Sequence, residues 1–488
     1  MRDVIVIGGG PAGVTAALRA RELGASVILI ERDRMGGTCT NDGCVPTRVL
    51  AKAARLVRDA EQFADYGLIG QKPAVDLPAL LARTQQTVFR LHEKKQLLDH
   101  LRQAGVALTA NAGAARFLDE QTIELENGHR LTAEKFILCV GGHARRLAFP
   151  GSEHALTHSD VWSLARLPRS VAVVGAAATG CQLTSILAAF GAQATLLDLS
   201  PRILPAEDTA VSQSVYHAFQ ERGIEVITGI SGLERIEKGA EGLRLVYGQD
   251  GRSHTLAVEQ VILAVGWVGN VEQLNLAAAG VQTERSYVVV DDTLRTSNPR
   301  IYAAGDINGR MMLVQSASSE ARLAVENALL RQDKTFRHHV VPHGGFTDPE
   351  YGSVGLTEAQ ALAQGGCAIA TVPYSDLDRA VIDGRPEGFC KLIVHRESGQ
   401  IVGAHVVGEQ AVEVVQIVAA GMAAGMHVVE LAEVELAYPT FTAVVGLAAR
   451  QLVRQLGFTP LAAEWRALRR LQHRGAEWEN SSDGVGGY

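Results

Sequence analysis

Residues 4–31 read VIVIGGGPAGVTAALRARELGASVILIE, and this stretch decides how the rest of the chain is read. The apolar run Val4 to Ile7 enters the turn Gly8-Gly9-Gly10-Pro11-Ala12-Gly13. A helical pattern follows, and a second apolar run ends on Glu31. This is a complete strand–turn–helix–strand unit with an acidic residue about twenty positions beyond its turn. Gly8 makes the tight turn, Gly10 lets the backbone approach a pyrophosphate, and Gly13 permits close helix–strand packing. Glu31 can accept hydrogen bonds from a ribose, with the phosphates at the helix N-terminus.

The arrangement recurs downstream. SVAVVG leads into Gly175-Ala176-Ala177-Ala178-Thr179-Gly180, a helix through Phe190, and ATLLD ending at Asp198. The spacing from Gly180 to Asp198 equals that from Gly13 to Glu31. Two units imply two dinucleotides. Asp198 favours NADH, because a carboxylate repels a 2′-phosphate, while the nearby Arg202 keeps NADPH open. Ala177 stands where a middle glycine gives the closest backbone access, so its methyl group loosens or re-angles the pyrophosphate. A third signal, TSNPRIYAAGD ending at Asp306, reads as a strand and a small-residue turn that presents a carboxylate and a helix N-terminus.

Length and composition bound the remaining possibilities. A chain of 488 residues exceeds one hydrophobic core, so two to four domains are expected. A net charge of -7 leaves no basic footprint for nucleic acid. The N-terminus reads as a strand rather than a signal peptide. The most apolar later stretch, 414–429, holds Gln416 and His427 and reads as a packed helix rather than a membrane span. The expected location is cytoplasmic. Six cysteines do not make a secreted disulfide framework, and Cys139, Cys181, Cys367 and Cys390 read as buried small hydrophobes.

Cys39 and Cys44 differ from those four. They lie in GGTCTNDGCVPT, with glycines that bend the chain back, and Pro46 suits the first turn of the helix that follows. Cys44 is therefore expected at a helix N-terminus, where the dipole favours thiolate over thiol. A zinc site is the functional rival, but these thiols lack a second ligand pair elsewhere, and no metal is expected.

Taken together, these residues resemble the class I pyridine nucleotide–disulfide oxidoreductases, the family of dihydrolipoamide dehydrogenase, glutathione reductase and mercuric reductase. The likeness runs from Val4 to about Leu456. Its most specific element is Gly36 to Thr47, supported by the Gly141-Gly142 turn, Ala304-Gly305-Asp306 and Phe346-Thr347-Asp348-Pro349-Glu350. The resemblance implies an α/β fold with two Rossmann-like domains, an FAD domain split in sequence and an inserted NAD domain. A C-terminal α+β dimerisation domain completes it, and the active form is a homodimer. The expected boundaries are 1–150 and 271–340 for FAD, 151–270 for NAD(P), 341–458 for the interface and 459–488 for a helical tail. FAD contacts are implied at Gly8, Gly10, Gly13, Glu31, Gly37, Thr38, Gly142 and Asp306. Nucleotide contacts are implied at Gly175, Gly180, Asp198 and Gly266. By the same resemblance, Cys44 faces the flavin as the charge-transfer thiolate and Cys39 is the interchange thiol.

The chain departs from the family pattern at several positions. The usual lysine, ion-paired with a glutamate on the first NAD-domain helix, is here Arg48 with Gln182. The usual His-Pro-Thr segment ending in glutamate reads Tyr438-Pro439-Thr440-Phe441-Thr442-Ala443. Tyrosine is a poor general base at neutral pH, and Ala443 orients nothing. Tyr438 is similar to the residue in mercuric reductases that helps handle the metal, but the tail has no cysteine pair. Trp267 stands in place of an arginine, and Val140 in place of a threonine. In the tail, Leu461, Trp465 and Leu468 fall near helical spacing.

The expected activity carries electrons from NADH through FAD to Cys39–Cys44, then to a disulfide or other acceptor, small molecule or protein. Two alternatives stay open: a protein donor in place of the nicotinamide, and a flavoprotein sensor or scaffold of low turnover.

Overall fold

A computed structural model describes residues 1–240 and 242–458, so the expected tail helix lies outside the described residues. The strand Arg2–Ile7 lies at the centre of the first sheet. Val27–Ile30 and the C-terminal half of Arg130–Leu138 flank it in parallel, with Val4 opposite Val27 and Ile5 opposite Phe136. Ala107–Thr109 extends the sheet beyond Val27–Ile30. On the far side of Arg130–Leu138 lies Ile301–Ala303, also parallel, so this sheet is completed by chain from beyond the inserted domain. One face, with Val4, Val6 and Leu29, is covered by helices Pro11–Glu22 and Val314–Leu330. The other, with Ile5, Ile7, Ile28 and Ile30, packs under the strands Ala115–Phe117 and Thr122–Leu125, hence the unbroken apolar runs VIVI, VILI and IYA. Val4, Ile5, Val6 and Leu29 are fully buried.

The inserted domain repeats the plan. Ser170–Val174 lies between Gln193–Asp198 and Gln260–Leu263, all parallel, and Glu225–Thr228 and Leu156–Thr157 form the edges. An antiparallel sheet of Gly232–Lys238, Leu243–Gln249 and Arg252–Val258 packs against it through Leu245 and Val261. The chain leaves and re-enters the first domain through a ribbon of Gly142–Ala144 against Trp267–Gly269. Gly142 is needed there, since a Cβ would come 2.7 Å from the Val268 carbonyl oxygen.

The C-terminal domain is an antiparallel sheet in the order His343–Gly345, Tyr351–Gly355, Ile401–Val407, Phe389–His395, Cys367–Pro373. Helices Ala411–Ala424 and Ala443–Leu456 bury Val414, Val418, Val445 and Leu452 against it. The fold class is the one expected. Two local readings are corrected. The stretch 414–429 is not one helix: Gly425 takes the left-handed conformation (φ 69°) and ends the first helix, and His427 caps Val428–Glu433. Cys139, Cys181 and Cys390 are buried, but Cys367 opens an edge strand and is only half-buried. Among the described residues, no helix is long and apolar enough to cross a membrane.

Candidate active site

The two glycine turns are near copies of each other. Gly8 (φ 107°) and Gly175 (φ 103°) each pass a neighbouring strand so closely that a Cβ would sit 2.3 Å from a carbonyl oxygen, of Cys139 and Ala264 respectively. At Gly13 and Gly180 a Cβ would fall 1.7 Å from the carbonyl oxygens of Gly8 and Gly175. No side chain fits at these four positions. Gly10 differs, because a Cβ there would meet only ordinary contact, 3.7 Å from Gly37. Its bareness leaves room on the open side of the turn. Ala177 has the same backbone conformation as Gly10, φ -77° against -75°, so its methyl costs no strain and stands exposed above the second turn.

Each acidic residue folds back on its own turn. Glu31 accepts from the Gly9 amide at 2.6 Å and from Asp33, and Asp198 accepts from the Ala176 and Ser200 amides. Arg202 is turned away from Asp198. Its guanidinium donates to the carbonyls of Leu204, Pro205 and Glu207.

The redox segment starts against the first turn. Gly36 donates to the Gly9 carbonyl at 2.9 Å, and a Cβ on Gly37 would lie 2.9 Å from the Gly10 Cα. A short helix Gly37–Asn41 carries Thr38 and Cys39, and Cys44 is the first residue of Cys44–Asp59. Both cysteines are free thiols. The Cys39 thiol donates to Cys44, and this hydrogen bond, with a contribution from the backbone amide of Cys44 itself, holds Cys44 down at about 7 against the opposing effect of burial. The same bond pushes Cys39 well up, and burial adds to the effect. The pair therefore divides into one thiolate near neutral pH and one persistent thiol.

Both sulfurs line a cavity of about 2010 Å³ that runs from the first glycine turn to the second. That is about twice the upper end for a drug-sized ligand, which suits extended dinucleotides. The helix Val314–Leu330 points its N-terminus into the cavity, and there Ser316 is buried with an Oγ that has no partner. Asp306 lines the cavity too, and burial, then Glu320, pushes its carboxyl up to about 6. Bare turn, helix N-termini, a carboxyl that resists ionising and an orphaned hydroxyl together fit a neutral ring joined to a diphosphate. The residues present therefore fit FAD.

The remaining sites read from the sequence are scattered around this cavity. Gln182 lines it, as do Trp267 and Val140, whereas Gly266 is an exposed turn at φ 106°. Trp267 packs on His158 with ring centroids 4.5 Å apart. Arg48 does not line the cavity, and among the described residues no hydrogen bond joins it to Gln182. It donates to Glu350 at 2.6 Å and lies 4.3 Å over the Phe346 ring. Tyr438 is also away from the cavity of its own chain, 64% exposed, with its hydroxyl donating to Asp378.

Sequence reasoning missed several groups. Asp42, between the cysteines, is held through Ser159, and its carbonyl accepts from the Trp162 indole at 2.9 Å. Glu320 is fully buried and accepts from the Gly305 amide, Asn308 and His338. Nothing in their local sequence marks these contacts, because each partner comes from a separate segment.

Comparison with known proteins gives matching results. The family described as pyridine nucleotide-disulphide oxidoreductase matches residues 2–321, and its dimerisation domain matches residues 341–449. A dihydrolipoyl dehydrogenase of Zymomonas mobilis is 33% identical over 85% of this chain and 90% of that protein. A mercuric reductase of Lysinibacillus sphaericus is 32% identical over 92% and 82%. Among solved structures, LpdA from Mycobacterium tuberculosis superposes with a TM-score of 0.83 at 27% identity, over 92% of this chain and 99% of that one. The HOCl-induced flavoprotein disulfide reductase RclA from Escherichia coli, at 24% identity and a TM-score of 0.81 over 92% and 99%, shares the fold.

Proposed function

The chain belongs to the pyridine nucleotide-disulphide oxidoreductase family, and on that premise we propose that it moves electrons from NADH through FAD to the Cys39–Cys44 pair and on to a disulfide. FAD supplies a two-electron centre that accepts from a reduced nicotinamide and donates to a disulfide. The first glycine turn, Glu31 and Gly37 would hold its diphosphate end, and Asp306 and Ser316 would hold its polar chain and ring.

The observation that carries this reading is the unequal cysteine pair on one cavity wall. Two electrons and one proton turn the Cys39–Cys44 disulfide into a Cys39 thiol and a Cys44 thiolate. That is the charge state the Cys39-to-Cys44 hydrogen bond favours near neutral pH. Cys39, handing its proton along the hydrogen bond to the Cys44 thiolate, attacks the acceptor disulfide. The first acceptor thiolate released takes that proton, and the restored Cys44 thiolate closes on Cys39 and expels the second acceptor sulfur as thiolate. Replacing Cys44 with Ser should abolish the long-wavelength thiolate–flavin band of the two-electron-reduced protein. A band of unchanged strength in that variant would assign the role to another sulfur.

NADH is preferred because Asp198 faces the ribose end while the Arg202 guanidinium is spent on three backbone carbonyls. A 2′-phosphate would meet a carboxylate without that cation. The homodimer reading draws on the dimerisation-domain match and on an apolar patch. Tyr66 donates to the Ile382 carbonyl at 2.6 Å, and Ile69, Val381 and Ile382 stand exposed. A second reading, a protein donor, draws on the exposed Ala177 methyl; rapid flavin reduction by NADH would remove it.

A further inference from the structure

Arg48 lies one helical turn beyond Cys44, so the two side chains share a face of Cys44–Asp59. Its guanidinium is fixed on two sides. Nη1 meets Glu350 at 2.6 Å and Nη2 reaches the more exposed Glu413 at 3.6 Å, while the flat of the group stacks on Phe346 at 4.3 Å. Phe346 lines the cavity, and its amide donates to Gln182 Oε1 at 3.1 Å. A chain of contacts thus runs from the interface domain (Glu350), through the redox helix (Arg48) and the cavity wall (Phe346), to the first helix of the inserted domain (Gln182).

The Glu350 side chain is 12% exposed, and its Oε2 is buried without a partner. Burial, together with Glu413 and Glu409, disfavours its charge, and Arg48 opposes that effect. A half-satisfied buried carboxylate is costly unless its cation stays in place. The pair is therefore mutually dependent: Glu350 holds Arg48, and Arg48 offsets the cost of the buried Glu350 charge.

We propose that Glu350 is the positioning residue for Arg48, so that the interface domain sets the charge and the ring pose on the Phe346–Gln182 wall of the cavity. Gln182 has no charge to give, and its carbonyl oxygen is already engaged by Phe346. With Glu350 ionised, the wall is electrically balanced. With Glu350 neutral, Arg48 leaves a net positive charge beside the cavity, which favours a reduced, more negative flavin.

The inference rests on FAD occupying the cavity but not on the identity of the electron donor. It is tested by titrating the flavin-bound protein with dithionite against a reference dye, which needs no nucleotide. Glu350→Gln should raise the flavin midpoint potential and Arg48→Gln should lower it. The double variant, which removes both charges, should lie near the parent. Arg48→Lys, which keeps charge but loses the stack, should hold the potential near that of the parent. The opposite directions matter, since loss of packing alone would move melting temperature without a signed change in potential. A double variant far from the parent, shifts of the same sign in the two singles, or parent potentials in both singles would overturn the assignment. If Glu350→Gln fails to fold, a lowered potential in Arg48→Gln with no change in Glu413→Gln still supports it, and an unchanged one overturns it.

Discussion

At the scale of single residues, the chemistry depends on which sulfur holds the proton. Cys44 has a helix N-terminus and the Cys39 thiol to stabilise its anion, so it should titrate at about 7 in the reduced protein, read by thiolate absorbance. Cys39→Ala removes the donor and should move Cys44 upward toward the ordinary thiol value of about 8.5. A Cys44 that stays near neutrality in that variant would assign the effect to the helix alone. Asp306 gives a second prediction. Its carboxyl is raised from 3.8 to about 6, so its ionisation opposes folding. Stability from this group is fully present below the unfolded value and is lost as pH rises through about 6. Asp306→Asn should therefore leave urea stability in acid unchanged. Above neutrality it should raise the stability of the flavin-free chain by roughly 2–3 kcal/mol, at about 1.4 kcal/mol per pH unit. An equal gain at both ends would mean that charge is not the cause.

At the scale of elements, local sequence determined some features and could not determine others. Gly8, Gly13, Gly175 and Gly180 were legible because backbone contact forbids a side chain at each, and such constraints act within one strand–turn–helix unit. The helix start at Cys44 was legible for a similar reason, since Pro46 and the apolar spacing are local. The partner of Arg48 was not. The resemblance pointed only to Gln182, which removes the usual countercharge, whereas Glu350 lies 302 residues from Arg48 and only the tertiary fold joins them. Ala177 belongs at this scale too. Its methyl is unstrained and exposed, so Ala177→Gly should leave the turn intact and tighten NADH by up to about tenfold, roughly 1.4 kcal/mol. Unchanged affinity by titration calorimetry would mean that the pyrophosphate does not pass over that turn.

At the scale of the whole molecule, three domains meet on one carboxylate. Asp348 of the interface domain pairs with Arg58 of the redox helix and with Arg222 of the inserted domain, and Arg58 also meets Glu409. Arg58 is 11% exposed and Glu409 6%, and with the arginine gone Glu409 keeps only Arg55 and Asp348 only Arg222. Arg58→Ala should cost more in denaturant than the roughly 1 kcal/mol of a surface pair and less than the about 3–5 kcal/mol of leaving a buried charge wholly unpaired. Docking of the interface domain should also loosen, visible as faster amide exchange in Cys44–Asp59. A loss below about 1 kcal/mol, the range for a surface pair, would mean that the junction is solvated. Two dinucleotide units were readable from the repeated glycine turns, whereas the interruption of one domain by the other was implied only by the family resemblance and is seen in the pairing of Ile301–Ala303 with Arg130–Leu138. The shared cavity was not readable, because its walls come from all three domains.

The most direct test of the electron path is anaerobic stopped-flow mixing of the flavin-loaded protein with NADH, and separately with NADPH, while the flavin spectrum is followed. The account predicts rapid loss of flavin absorbance with NADH, much slower loss with NADPH, and then a long-wavelength thiolate–flavin band that fades as pH falls below about 7. No reduction by either nucleotide, with dithionite still producing the band, would contradict it and assign the flavin–disulfide centre to a different donor.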